Sequence, residues 1–544
     1  MLLFSVEAAL LLGLSFILWR SLQSIIVRSP LNNIPGPPRE SFIKGNFGQL
    51  YHRQAWDFHR RLWEKYGSVV KLYMLFGAKC LYISDPKAIH HILVADQYSS
   101  FDEPPYIVES YRLVLGPGLL SATGEHHRRQ RKMLNPVFST KNLRDMLPVF
   151  YKVIEDLRTA IAVQVADGPK ELNMLHWMNR VALELIGQAG LGYSFDPIVS
   201  ESEDDFAGAL KSLFPALSRL GFARQLIPRL VKIGSPSLRR RIIERIPNQH
   251  LKKLLDIVDT MDRKAREILQ AKESAMQKGE AIVSQQVGKG KDLMSMLLKA
   301  NMEADRADKL SKEELLGQMS TFVIGATDTT SSALAQILQY LADNPVAQET
   351  LRREIVEARK GGDMSYEEVI RLPYLDAVIK ETLRLNPPGS VIVRQAKRDA
   401  TVSLSSPIRG VDGKMMHEIV VPKGTFTFVG ILALNRSKAI WGEDASEWKP
   451  GRWLSPLPDT VAGSHIPGIF SSIMTFSGGT RACIGFKFAE LDMKVLLSVL
   501  VESFSFSPSK KPVTWNFATV RFPTVGEESL KPELPIVVQS VTKV

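Results

Sequence analysis

The sequence predicts a mainly α fold with small β-sheets: one large domain of residues 46–544, joined by a linker at 28–45 to an amino-terminal membrane anchor at 1–27. Three observations predict it. Helical patterns fill most of 125–395, for instance 173–187, 253–278, 312–342 and 345–360, and return at 488–501. Strand-like runs rich in Val, Tyr and Ile cluster at 69–83, and a second mixed stretch at 400–430 has turns at Val411-Asp412-Gly413 and Pro422-Lys423-Gly424. The chain also opens on an apolar run that is uncharged from Ala8 to Trp19.

Only Glu7 interrupts that run before Arg20. Nineteen residues of helix rise about 28 Å, close to the hydrocarbon thickness of a bilayer. A cleaved signal peptide would need a basic start and a small-residue cleavage site, and neither is evident. Positive charge follows at Arg20, Arg28, Arg39 and Lys44, which predicts that the bulk of the chain is cytoplasmic. Ile34-Pro35-Gly36-Pro37-Pro38 then forms a stiff spacer, because proline fixes φ and halts helices. In this orientation the sequon Asn435-Arg436-Ser437 stays unglycosylated.

The 544 residues are 45% hydrophobic and 23% charged, an ordinary globular balance that excludes disorder. Two cysteines, Cys80 and Cys483, exclude a disulfide scaffold and a four-cysteine zinc site. Cys80 lies in Cys80-Leu81-Tyr82-Ile83 and reads as a buried strand residue. The net charge of +12 lacks the aromatic interleaving of single-strand nucleic-acid binders. It points instead to an anionic membrane or an acidic protein partner, not to nucleic acid.

The chemistry concentrates in Phe476-Ser477-Gly478-Gly479-Thr480-Arg481-Ala482-Cys483-Ile484-Gly485. A thiolate on heme iron pushes electron density that favours O–O cleavage. Its loop must present the sulfur to the metal. Glycines 478, 479 and 485 allow tight turning and supply N–H groups toward the sulfur. The helix predicted at 488–501 points its positive end at the thiolate, and Arg481 is suited to pair with a heme carboxylate.

These residues resemble the ligand motif of the cytochrome P450 family, Phe-x-x-Gly-x-Arg-x-Cys-x-Gly. Phe476, Gly479, Arg481, Cys483 and Gly485 match all five fixed positions. A chance match in a chain of this length is on the order of 10⁻⁴. The resemblance runs from the proline spacer to the carboxyl end. It implies the α-rich fold of that family, heme b (iron protoporphyrin IX) as cofactor, and Cys483 as axial ligand of the iron.

Four further motifs follow in the family's order. Glu381-Thr382-Leu383-Arg384 resembles Glu-x-x-Arg, on a helix from about Pro373 that stops before Pro387-Pro388. With Arg452 of Pro450-Gly451-Arg452-Trp453, Glu381 and Arg384 are expected to form a buried structural lock. Gly325-Ala326-Thr327-Asp328-Thr329-Thr330 resembles the oxygen-activating segment, with Ala326 where the family usually has glycine. Here Asp328 and Thr329 are the expected catalytic proton relay, aided by a kink where a threonine hydroxyl turns back on its helix. Gly124–Lys132 resembles the Trp-x-x-x-Arg helix: Arg131 matches the propionate-binding arginine, and His127 stands in place of tryptophan. Arg394 matches a second propionate arginine.

No dinucleotide-binding Gly-x-Gly-x-x-Gly fingerprint occurs in the chain. The resemblance therefore implies electrons from an NADPH-cytochrome P450 reductase, with cytochrome b5 as an optional second donor, and residence in the endoplasmic reticulum membrane with the catalytic domain cytoplasmic. Arg128, Arg129, Lys132 and Lys487 are candidate contacts for an acidic partner. Substrate contacts are expected from 101–120, 205–235, 322–324, 391–393 and 515–519, which are mostly apolar and suggest a lipophilic small molecule. The texture resembles fungal members, many of which oxidise terpenoid or polyketide metabolites or xenobiotic aromatics. Two other functions stay open: a reductase-independent hydroperoxide isomerase or dehydratase, and a non-catalytic heme carrier or sensor.

Overall fold

The computed structural model describes residues 29–195, 205–279 and 285–541, together with Ser15, Ile198 and Ile282. The predicted anchor falls outside these residues apart from Ser15. Among the described residues no helix is long and apolar enough to cross a membrane.

The main sheet has five strands: β1 (Val69–Tyr73), β2 (Lys79–Ile83), β3 (Phe101–Asp102), β4 (Val391–Ala396) and β5 (Phe426–Gly430), in the order β1-β2-β5-β4-β3. Only the β2–β5 pairing is parallel, with Tyr82 opposite Phe428. Ala400–Arg409 and Met415–Val421 form the expected hairpin, but β5 leaves it for the main sheet. The reason is burial: Thr427, Phe428 and Val429 are all but inaccessible there. Cys80 lies on β2, wholly buried, and burial pushes its thiol well above the ordinary range.

Six helices frame the site: α1 (Gly124–Leu134), α2 (Thr140–Gln164), α3 (Met174–Leu185), α4 (Lys312–Asp343), α5 (Pro373–Leu385) and α6 (Phe486–Ser503). Helix α4 runs through the core and starts on a capping box in which Ser311 and Glu314 satisfy each other's backbone N–H. Its neighbours include α3, α5 and α6. The predicted helix at 253–278 begins earlier, as Gln249–Lys278, because the Asn248 side chain accepts the N–H groups of His250 and Leu251. The predicted helix at 173–187 ends sooner. After Leu185 the chain widens into a π-helical turn, Ile186–Leu191, while the Glu184 carboxylate accepts from Gln188, Ser194 and the Phe195 N–H.

Helix α6 buries one group that fits poorly. Asp492 is 2% exposed, and its Oδ1 has no hydrogen-bond partner. Burial raises its carboxyl to about 8. A carboxyl raised on folding destabilises nothing below its unfolded value near 3.8, and its penalty grows as pH climbs toward 8. Asp492→Asn is therefore expected to stabilise the fold by about 2 kcal/mol at neutral pH, after the cost of burying an amide. Thermal unfolding at several pH values checks this: the variant's advantage should vanish near pH 4 and widen toward pH 8.

Candidate active site

The site is built around the turn from β6 (Ile473–Gly478) into α6. The Cys483 N–H donates to the Phe476 carbonyl at 2.9 Å and Ala482 N–H to Gly479 at 3.1 Å, which closes the loop. Phe476 packs edge-on against Phe470 at 5.2 Å and leans on Phe486. Gly479 has φ +74°, and a Cβ there would lie 1.9 Å from the Leu93 carbonyl oxygen, so no other residue fits. Gly485 differs from expectation: its φ is −90°, open to any residue, and what it contributes is its N–H toward the Cys483 sulfur. Burial pushes the Cys483 thiol up, while that N–H and the Arg131 charge pull it down. Cys483 nonetheless presents an exposed surface, so its sulfur is surrounded by protein yet reachable.

Four donors converge beside it. His127 and Arg131, four residues apart, share one face of α1. Arg131 donates to the Ala482 carbonyl, and Arg481 to Ala122 at 2.6 Å. Arg394, on β4, donates to the Val393 carbonyl at 2.9 Å. The acids nearby are Asp102, 3.5 Å from Arg481, and Glu103, 3.6 Å from both Arg481 and Arg394. Those distances are too long for direct charge-assisted hydrogen bonds. The Nε atoms of Arg394 and Arg481 are buried without a partner. Burial, then Arg481, Arg131 and Arg394, depress His127 to about 3, so its ring is neutral.

A surplus of buried cationic donors beside a reachable thiol fits heme. Cys483 would ligate the iron, while Arg131, Arg394 and Arg481 would hold the two propionates. Sequence reading missed Gln97, whose Oε1 accepts the Thr480 N–H at 3.0 Å and fixes the loop, and Tyr98, whose hydroxyl lies 2.5 Å from His127 Nδ1. Neither belongs to a motif; both are brought in by the turn before β3.

Beneath the loop lies the predicted lock. Glu381 and Arg384 are fully buried and pair through two 2.8 Å hydrogen bonds. Arg384 also donates to the carbonyls of Asn435 and Ala445. Arg452 stands 3.5 Å from Glu381 and reaches Asp444 at 3.0 Å, and Trp453 donates to Glu381 at 3.0 Å. Asn435 ties the lock to β6, donating to Thr475 Oγ1 and accepting the Met474 N–H. Its complete burial also means that the sequon is closed to a glycan, whichever side of a membrane it faces.

Helix α4 supplies another wall. It docks on α1 through Gln318, which donates to Gln130 at 2.8 Å, and through Glu314, which pairs with Arg129. Among the described residues Asp328 makes no hydrogen bond or ion pair from its carboxylate, and desolvation raises it to about 6. The Thr329 hydroxyl donates back to Gly325 at 2.6 Å. Helix α4 is helical from Lys312 to Asp343 across this segment. A hydroxyl bonded one turn back is compatible with an unbroken helix. A side chain placed at Gly325 would meet no atom within 4 Å, so the helix presents open space beside the relay. No direct contact joins Asp328 or Thr329 to Cys483 among the described residues.

Other expectations fare unevenly. Phe322, Val323 and Ile324 are buried in α4. Trp515 donates to Gln339 at 2.6 Å, and Phe517 stacks on His59 at 4.3 Å, so both are engaged in packing. Arg128, Arg129 and Lys132 are paired with Glu125, Glu314 and Asp308, which leaves less free charge for a partner than the sequence suggests. A large surface cleft of about 1620 Å³ is lined by Trp56, Arg436 and Trp515, among others, and by none of the residues around Cys483. Chemistry, not cavity size, locates the site.

The cytochrome P450 family model matches residues 35–523. Cytochrome P450 monooxygenase 91 of Postia placenta is 50% identical over 533 residues, 98% of each chain. Cytochrome P450 monooxygenase 212 of the same organism is 48% identical over 97% of each chain. Ganoderic acid synthetase CYP5150L8 of Ganoderma lucidum is 45% identical, again over 97% of each.

Proposed function

Because this chain belongs to the cytochrome P450 family and is a heme-dependent monooxygenase of it, we propose that it inserts one oxygen atom from O₂ into a lipophilic small molecule. A secondary metabolite such as a terpenoid or polyketide, or a xenobiotic aromatic, is the class of substrate. Electrons come from an NADPH-cytochrome P450 reductase, with cytochrome b5 as an optional donor, at the cytoplasmic face of the endoplasmic reticulum. The exposed apolar side chains Leu226, Leu230, Ile233, Leu238, Ile242 and Ile246, interspersed with arginines, support apposition to a membrane. That one relative is named for synthesis of ganoderic acid supports a role in making a small organic molecule.

Bound heme supplies the iron at which O₂ is activated, and thiolate ligation favours O–O cleavage. The chain's own residues do the rest. The Gly485 N–H and Arg131 stabilise the Cys483 thiolate. Arg131, Arg394 and Arg481 orient the macrocycle by its carboxylates. Asp328, raised to about 6, takes up and gives up a proton close to neutral pH, at a carboxyl with no competing partner among the described residues. The Thr329 hydroxyl, now bonded to Gly325, passes a proton on when it rotates away.

The observation that carries the proposal is Asp328, a half-buried acid with no partner among the described residues, raised to about 6 on a helix that opens to space beside Gly325. Hydroperoxide rearrangement and heme carriage need no proton relay, so neither explains it. Turnover of a lipophilic panel with NADPH and reductase tests the reading. Asp328→Asn should lower product formation about 10²-fold while sparing the reduced carbon monoxide spectrum. Thr329→Val should divert NADPH consumption from product to peroxide. Full product formation in both variants would defeat the relay.

A further inference from the structure

His127 occupies a position where the family's motif has tryptophan, whose indole has one fixed N–H donor. A neutral histidine carries its single proton on either nitrogen, so something must choose. The Tyr98 hydroxyl is 2.5 Å from His127 Nδ1, and Nε2 has no protein partner among the described residues. Cations lie over the Tyr98 ring, Arg128 at 5.1 Å and Arg481 at 5.7 Å. They draw charge from the phenol and make its O–H the better donor.

We propose that Tyr98 is a positioning residue that fixes His127 as the Nε2–H tautomer, so that the ring donates to a heme propionate beside Arg131, Arg394 and Arg481. The opposite tautomer would turn a bare acceptor toward the propionate, whose oxygens it repels. Tyr98 is held firmly for this task. Its φ is +70°, a conformation that side chains other than those of Gly, Asn and Asp rarely adopt. Its N–H donates to Phe101 at 2.9 Å, and its carbonyl accepts from Lys397 at 3.0 Å. The preceding residue, Gln97, is bonded to the cysteine loop at Thr480, so the turn that carries the phenol and the loop that carries the thiol move as one.

The test uses the holoenzyme and its heme. Tyr98→Phe should speed heme transfer to excess apomyoglobin about ten-fold, the worth of one hydrogen bond to a charged acceptor. It should also shift the propionate bending band in resonance Raman spectra. Glutamine at 127 has an amide donor that needs no tautomer. In a His127→Gln background, Tyr98→Phe should therefore change neither readout. Equal effects of Tyr98→Phe in both backgrounds, or an unmoved propionate band in the single variant, would overturn the proposal. His127→Trp gives a second such background should the glutamine variant not fold.

Discussion

Cys483→Ser is expected to abolish the red-shifted ferrous carbon monoxide band of a thiolate-ligated heme and to lower turnover by more than about 10³-fold, or ~4 kcal/mol of transition-state stabilisation. The expectation rests on the loop. Nothing else within it is a soft donor, and the Gly485 N–H and the Arg131 charge are aimed at this sulfur. Heme should still bind in part, because Arg131, Arg394 and Arg481 remain. Cys80→Ser is the control. That thiol is sealed into β2 with no access, so the band should be unchanged. Retention of the band in Cys483→Ser would mean that the ligand had been misassigned.

Arg384→Met should be nearly as damaging by another route. Glu381 would keep a fully buried charge whose remaining cation, Arg452, stands 3.5 Å away, with only the neutral donors Trp453 and the Lys449 N–H beside it, and two carbonyls, of Asn435 and Ala445, would lose this donor. Breaking a buried pair from one side costs about 3–5 kcal/mol. Because Asn435 also holds Met474 and Thr475, the strain should reach β6 and lower heme content. The double variant Glu381→Met/Arg384→Met removes both charges and should be less destabilised than the sum of the single variants. Thermal unfolding together with heme per protein measures all three. Strict additivity would show that the two side chains do not act as a unit.

Much of the molecule was legible from local pattern. The lengths of α4 and α5 follow from apolar periodicity, with Ser311 and Pro373 at their starts. The cysteine loop and the lock residues were readable because their chemistry needs fixed residue types at fixed spacing. What escaped was of two kinds. The fate of 426–430 depended on a parallel partner more than 340 residues away, and no local turn signal encodes that. Gln97 and Tyr98 lie in no repeat or motif, and their role exists only because the turn before β3 folds onto α1 and the cysteine loop.

The sequence by itself, through its resemblance to the family's motifs, pointed to the ligand, the heme and the reaction class, and spacing along α5 set Glu381 beside Arg384, whereas Arg452 joins them only in the fold. Tertiary structure decided protonation and direction. That Asp328 is raised to about 6, that His127 is neutral, and that Arg129 and Lys132 are already paired with Glu314 and Asp308 all depend on burial or on charges contributed by distant segments. Electrostatic free energy is set by distance and desolvation in space, and a linear order of residues specifies neither until the chain has packed.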